Sequence, residues 1–299
     1  MAKLTTPKIE LLDESAQLAK YRVDAWIDHH QIKNEKGEPI EWFKHQFLID
    51  IYNDQSDNLV VMKPAQVGLS TLEILKNIRD AEMRKMDIIY TLPTGEDVGQ
   101  FVGGKVNRII SNNPHIEKLT VDKDSIEQKQ IGLSMIYFRG TWTKKSAIMI
   151  TADRLVHDEK DTSKQDVIAD YQSRLQHSKF KQTHVFSHPS VPNSGVDMEW
   201  QISDQKEWFI ICPYCQYQQI LTWHTEDPKK MSINLQTKEF ICKKCGGILD
   251  WHARAKGTWR AKKGKENAKW SGYHISLLMA PWMTAKEIID KYLEVMAGK

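Results

Sequence analysis

The stretch from Leu59 to Ile78 constrains the fold more than any other part of the chain. An apolar run, Leu59-Val60-Val61-Met62, enters Lys63-Pro64-Ala65-Gln66-Val67-Gly68-Leu69-Ser70-Thr71, and a helix-compatible stretch continues through Leu72, Ile74, Leu75 and Ile78. A buried strand, a tight loop and a helix N-terminus in succession make a natural anion site, because the loop and first-turn N–H groups point at the ligand. The phosphate-loop pattern G-x-x-x-x-G-K-[ST] is met at Gly68 and Ser70. Leu69 stands at the lysine position, and Lys63 stands at that of the first glycine. The lysine has moved to the front of the loop. An ordinary β-to-α turn would carry the same nine residues, so the rest of the chain must decide.

Further apolar runs follow at strand length. Asp87-Ile88-Ile89-Tyr90-Thr91-Leu92-Pro93 reads as a second strand, and Thr94-Gly95-Glu96-Asp97 can cap a helix through Val98, Phe101, Val102, Val106 and Ile109-Ile110. Residues 112–133 are polar and read as loop, and Leu133 to Phe138 as a third strand. Ala147-Ile148-Met149-Ile150 is a further apolar run, and Arg154-Leu155-Val156-His157 another, ending in Asp158-Glu159. A helix with Val167, Ile168, Tyr171 and Leu175 then precedes a strand over 183–187. Strands alternating with helices predict an α/β fold, a mostly parallel sheet with helices on both faces. Ahead of the loop, residues 8–56 begin with a helix and carry a turn at Lys36-Gly37-Glu38-Pro39. Gln46, just upstream of the loop, could recognise adenine through its amide, or be a solvated helical residue.

At 299 residues the chain can hold one large α/β domain and a smaller module. Hydrophobic content of 40% and charged content of 27% describe a soluble globular protein. No apolar stretch reaches the ~18 residues of a membrane span, and Met1 to Pro7 lack a signal-peptide core. The expectation is a cytoplasmic protein with no membrane partner. A net charge of +3 is too small to argue for nucleic acid by itself.

Two constellations carry chemistry. Asp158-Glu159 closes an apolar strand about ninety residues after the loop. In an NTPase of this architecture one carboxylate holds Mg²⁺ and the next polarises the attacking water. That gives Asp158 to magnesium, with the Ser70 hydroxyl as a second ligand, and Glu159 to the water. A solvated acidic turn would read the same, and His157 before the pair reads as a packed strand residue. The second constellation is Cys212-Pro-Tyr-Cys215 and Cys242-Lys-Lys-Cys245, two tight knuckles that supply a tetrahedral S₄ shell for structural zinc. The insert between the pairs can hold a β-hairpin, and Gly246-Gly247 gives the second knuckle backbone freedom. With all four positions filled, the cluster has no open site for hydrolysis. Between 254 and 270, basic residues interleave with Trp259 and Trp270, which suits either a nucleic-acid backbone or a solvated basic loop.

In this order the pieces resemble the large terminase subunit of tailed bacteriophages, in its lambda-like GpA branch, over roughly residues 40–295. The carriers are Trp42 to Gln46, the displaced-lysine loop from Lys63 to Thr71, Leu92-Pro93-Thr94, and Asp158-Glu159-Lys160-Asp161. Ser187-His188-Pro189-Ser190 is similar to the family's S/T-x-P-S/T coupling motif. Ser203-Asp204-Gln205-Lys206 is similar to the run entering the family's zinc ribbon, and Tyr273 to Trp282 is similar to the run leaving that ribbon. The resemblance implies a P-loop NTPase core of the RecA/ASCE-like class and ATP-driven packaging of double-stranded DNA into a procapsid. It implies ATP bound by Gln46, Lys63, Pro64, Ala65, Gln66, Val67, Gly68, Leu69, Ser70 and Thr71. Mg²⁺ would sit at Ser70 and Asp158, with Glu159 as catalytic base. Ser187, His188, Pro189 and Ser190 would provide coupling, and structural Zn²⁺ would sit at Cys212, Cys215, Cys242 and Cys245.

Its implied partners are the small terminase subunit, the portal of the procapsid, and further copies in a ring, in the host cytoplasm. The expected organisation is an N-terminal helical extension (1–40), an ATPase core (41–204), a zinc ribbon (205–255) and a segment returning to the core (256–299). The family's second, nuclease domain is not expected in this chain, so no cutting activity is assigned to it. Arg139, Arg154 and Arg174 are candidates for a charge-stabilising arginine. A helicase-like translocase would share the loop and the carboxylate pair, and a non-enzymatic zinc-ribbon DNA-binding protein would carry a degenerate loop.

Overall fold

The computed structural model describes residues 14–144 and 150–298. Residues 147–149 of one expected apolar run, and the stretch before Glu14, lie outside the described residues. Thirteen strands are described: β1 (Asn58–Met62), β2 (Ile88–Leu92), β3 (Thr120–Asp124), β4 (Gln128–Ile131), β5 (Ser134–Gly140), β6 (Arg154–Asp158), β7 (Gln182–Ser187), β8 (Glu207–Ile211), β9 (Gln218–Gln219), β10 (Ile233–Asn234), β11 (Glu239–Phe240), β12 (Gly257–Arg260) and β13 (Ser271–His274). Eight of them form one sheet in the order β13-β1-β7-β6-β2-β5-β4-β3. The six from β13 to β5 run parallel, and β4 and β3 close one edge antiparallel.

Alternation along each strand sorts side chains onto two faces. Leu59, Val61, Tyr90, Val156 and Phe186 face the main core, under the helix Leu69–Arg84. Ile89 and Leu155 face the helix Gln165–Gln172, and Val60, Met62 and Val185 face the helix Val196–Gln201. The expected doubly covered, mostly parallel sheet is therefore present. The helix Leu69–Arg84 is buried from Leu69 to Ala81 except at Ser70, because the helices Val23–His29 and Gln46–Asn53 cover its outer side.

The reading of 112–133 as loop is corrected. Asn113 leads into a helix, Pro114–Leu119, started by proline at its first position, and then into the β3–β4 hairpin. Buried Ile116 and Ile131 anchor the segment, and Lys129 is buried on an ion pair with Asp124. Leu133 lies at the exposed turn before β5. The helix expected from Val98 to Ile110 is there, capped by Thr94 and Asp97 as a capping box, but interrupted by a wider π-turn over Val102–Val106.

Beyond residue 204 the chain leaves the large sheet. β8 pairs antiparallel with β12 and β9, and β10 and β11 form the hairpin between the cysteine pairs. The chain then returns as β13, which lies parallel beside β1. No described helix is long and apolar enough to cross a membrane.

Candidate active site

In an open parallel sheet, ligands bind beyond the carboxyl ends of the strands. β1, β7 and β6 lie side by side and end at Met62, Ser187 and Asp158, so Lys63, the 187–190 segment and Asp158-Glu159 all emerge at one rim. The strand bearing the carboxylates is separated from the strand entering the loop by β7 alone. A Lys63 N–H to Ser187 carbonyl bond of 3.0 Å extends the β1–β7 ladder into the loop.

The loop turns through two left-handed residues, Gln66 at φ 60° and Gly68 at φ 85°. The second is Gly, the residue for which that conformation carries no Cβ penalty. The Gly68 carbonyl accepts the first helical bond, from Leu72 N–H at 3.0 Å. Ala65 and Gln66 are exposed, while Val67 and Leu69 are buried at 1% exposure. Leu69 thus packs into the core from the first turn of its helix. A lysine there would bury its charge away from the rim.

Lys63 does face the rim. It is 6% exposed, and its ammonium lies 2.6 Å from Glu159 Oε1 and 3.7 Å from Asp158 Oδ1. Asp158, 2% exposed, accepts from Ser70 Oγ at 2.9 Å and from Tyr90 OH at 2.7 Å on one oxygen, and from Glu159 N–H at 3.0 Å on the other. The Ser70–Asp158 oxygen spacing is close to the ~3 Å between adjacent ligands of an octahedral ion with ~2.1 Å bonds. Two hard oxygens so placed fit magnesium. Glu159 has a left-handed φ of 54°, which turns its half-exposed side chain off the strand.

Ser187 is buried, and its hydroxyl accepts from Asp161 N–H at 3.1 Å. Asp161 in turn accepts from Ser190 N–H and Oγ at 2.9 and 2.8 Å and from Val196 N–H at 2.8 Å. His188 and Ser190 are exposed and Pro189 half-buried. The segment after β7 is therefore held by the turn that follows Glu159. Gln46 starts the helix Gln46–Asn53, half-buried, and its neighbours His45 and Leu48 border Gly68. His157 is a buried strand residue 2.7 Å from Thr91 Oγ1, and burial pushes its imidazole down to about 3.

Tyr90 is the site residue that motif reasoning passed over, and Asp161 stands in the motif after Glu159 with no role assigned to it there. A tyrosine inside an apolar strand reads as core, and only the β6–β2 pairing brings its hydroxyl under Asp158. Of the three candidate arginines, Arg154 is fully buried at the start of β6, bonded to Gln182, Asn77 and Asp80. It serves the core and cannot reach a neighbouring molecule. Arg174 lies at that same far end, its carbonyl accepting from Ala152 N–H. Arg139, beside Thr91 near the carboxyl end of β5, is separated from β6 by β2, and its guanidinium donates to the Glu127 and Phe138 carbonyls.

The four cysteines converge, with every Sγ within 4.8 Å of the others. Cys212–Cys245 and Cys215–Cys242 sulfurs are 3.8 and 3.7 Å apart. Matching backbone bonds close the two knuckles, Gln216 N–H to Cys212 O and Gly246 N–H to Cys242 O. Gln216 and Gly246 take the same left-handed conformation.

The basic segment 254–270 does not form an aromatic platform. Arg254 is buried and donates to the carbonyls of Leu278, Ala280, Pro281 and Met283. Trp259 packs on Trp208 and donates to Phe47 O at 2.8 Å, and Trp270 packs against the cluster around Val60 and Val185. The aromatic rings fasten the returning chain to the core.

The solved structures that this chain is similar to include the HK97 bacteriophage large terminase, at 13% identity and a TM-score of 0.50 over 60% of this chain and 40% of that one. They also include the ATPase domain of a Thermus phage large terminase, at 10% identity and a TM-score of 0.52 over 87% of this chain and 89% of that one. These likenesses show a shared fold, and the chain spans 40% of the length of the HK97 protein. No individually curated protein matches the sequence significantly. The family model described as "Phage terminase large subunit gpA, ATPase domain" matches residues 47–270. From β1 through the cysteine cluster to Trp270, this chain belongs to the ATPase-domain family of the GpA-type phage terminase large subunit.

Proposed function

We propose that the chain is an ATP-hydrolysing motor domain that drives double-stranded viral DNA into a procapsid. The observation that carries this reading is the meeting of Lys63, Ser70, Asp158 and Glu159 at one rim, in a chain of this family. Lys63 supplies the charge that the loop's seventh position ordinarily carries, and the N–H groups from Gln66 to Thr71 cradle the phosphates. Gln46 reads the adenine. Ser70 and Asp158 hold magnesium, directly or through water, and that ion would neutralise charge on the phosphates and leaving group.

Lys63 is paired with Glu159 at 2.6 Å. A phosphate is a stronger partner for an ammonium than a half-exposed carboxylate. Lys63 therefore exchanges Glu159 for phosphate, and Glu159 is released to orient and deprotonate the attacking water. Tyr90 and the Glu159 N–H hold the Asp158 carboxylate in place meanwhile. Because Ser187 to Ser190 is tied to Asp161, two residues past Glu159, movement of Glu159 reaches the β7 segment, the coupling element in this reading.

Cys212, Cys215, Cys242 and Cys245 hold a structural zinc. Tetrahedral Zn–S bonds of ~2.3 Å set sulfurs ~3.8 Å apart, the spacing found in both cross-knuckle pairs. The partners of the working motor are DNA, a small terminase subunit, the portal of the procapsid and further copies of the chain in a ring in the host cytoplasm. Radiolabelled ATP turnover with and without magnesium and double-stranded DNA tests this reading. Magnesium-dependent turnover raised by DNA is expected, and a chain that neither binds nor turns over ATP would overturn it.

A further inference from the structure

At the far end of the phosphate-loop helix, three side chains of metal-binding type meet: His30, Glu82 and His115. They come from three separate parts of the chain. His30 follows the helix Val23–His29, Glu82 lies in the last turn of Leu69–Arg84, and His115 lies in the first turn of Pro114–Leu119. One ligand atom from each lies within 4.8 Å of the others, and all three residues are half-buried, open to an ion and partly shielded from water. Glu82 stands thirteen residues beyond Leu69, about 20 Å along the helix at 1.5 Å per residue. The cluster is thus separate from the nucleotide rim, and it shares no residue with the cysteines.

The carboxylate is already fixed. His115 Nε2 lies 3.1 and 3.2 Å from the two Glu82 oxygens, and Trp26 Nε1 donates to Glu82 Oε2 at 2.8 Å. An outer donor that orients a carboxylate is the support metal-ligating groups commonly have. The His30 ring stacks on His115, with centroids 3.6 Å apart and planes 13° from parallel. Parallel rings cannot both aim an in-plane lone pair at one ion, so one must turn. His115 is tied to Glu82, which leaves His30 as the ring that swings.

We propose that His30, Glu82 and His115 form a site for a borderline divalent transition-metal ion of the zinc type, with water completing its shell. Two imidazole nitrogens and one carboxylate oxygen suit such an ion, whereas magnesium and calcium prefer all-oxygen shells. On binding, the ion takes the place of the proton between His115 Nε2 and Glu82, and that imidazole carries its proton on Nδ1. The ion then cross-links the N-terminal helices to the phosphate-loop helix and to the helix Pro114–Leu119.

Zn²⁺ is the probe, on the full chain. Calorimetric titration should show one saturable equivalent beyond those taken by the thiolates, weakened at least tenfold in His115→Gln and in Glu82→Gln. A second readout needs no substitution and does not depend on the cysteine cluster. In the ¹⁵N spectrum of the histidine side chains of the wild-type chain, the ring nitrogens of His30 and His115 should shift together as that equivalent is added. Unchanged affinity in either variant, or shifts confined to other histidines, would overturn the proposal.

Discussion

Replacing Lys63 by methionine removes the charge and keeps most of the buried stem. The substitution has two effects, and they differ in size. Within the free protein, the contact to Glu159 is half-exposed and worth at most ~1 kcal/mol. The Asp158 carboxylate is 2% exposed, so losing its cation is the larger cost. A buried charge stripped of its partner costs ~3–5 kcal/mol. Here Tyr90, Ser70 and the Glu159 N–H still donate to it, which places the loss near ~3 kcal/mol or below.

The nucleotide effect has a separate origin, the loss of one charged hydrogen bond to phosphate, ~1.5–3 kcal/mol. At 1.4 kcal/mol per tenfold, that weakens ATP binding about 10- to 150-fold. Urea unfolding measures the first effect and titration with a fluorescent ATP analogue in magnesium the second. If Lys63 served only to neutralise the two carboxylates, magnesium-nucleotide would bring its own cation, and the variant would bind as well as wild type or better. Wild-type affinity in a destabilised Lys63→Met protein would refute the displaced-lysine reasoning.

Three further outcomes are expected. Tyr90→Phe removes the hydroxyl that donates to Asp158 at 2.7 Å and should cost ~1.5–3 kcal/mol in urea unfolding, since the acceptor is charged and buried. Burial of Glu73 pushes its carboxyl up to about 7 from 4.5, with the Lys76 ammonium only partly offsetting it. A raised folded pKa contributes stability that is complete below 4.5 and lost as pH rises through about 7. Glu73→Gln should therefore abolish that decline when the stabilities of the two proteins are compared across this window. Chelation of zinc should remove the near-ultraviolet signal of the 205–255 region while ATP binding persists, and a ribbon unchanged by metal removal would count against the zinc assignment.

Much of the sheet was legible because each central strand is a short β-branched run ended by proline, glycine or charge. The runs at 59–62, 88–92, 154–157 and 183–187 all lie within observed strands. The β3–β4 hairpin was not legible. Its strands are short and polar, and the edge of a sheet asks little apolar sequence of them. The cysteine cluster was legible because two C-x₂-C pairs leave few alternatives. Conversely, Trp259, Trp270 and Arg254 read as a basic aromatic strip because sequence does not say which way a ring points. Asn77, Arg79, Asp80 and Arg154 form a buried polar network under the phosphate-loop helix, although charged residues on a helix ordinarily imply a solvated face. That helix is covered on both sides, a tertiary fact that no local pattern carries. At the site, the loop's departure at Leu69 was visible as a mismatch, and its reason was visible only in the packing: Leu69 is core.

The proposal that this rim hydrolyses ATP is tested most directly by Glu159→Gln in a single-turnover experiment, with ATP binding measured on the same sample. The substitution keeps the shape and removes the base, and the half-exposed side chain leaves the fold little changed. ATP should bind at near wild-type affinity while the hydrolysis step slows by at least 10²-fold. Hydrolysis at the wild-type rate in a variant that binds ATP normally would contradict the assignment of Glu159 as the base.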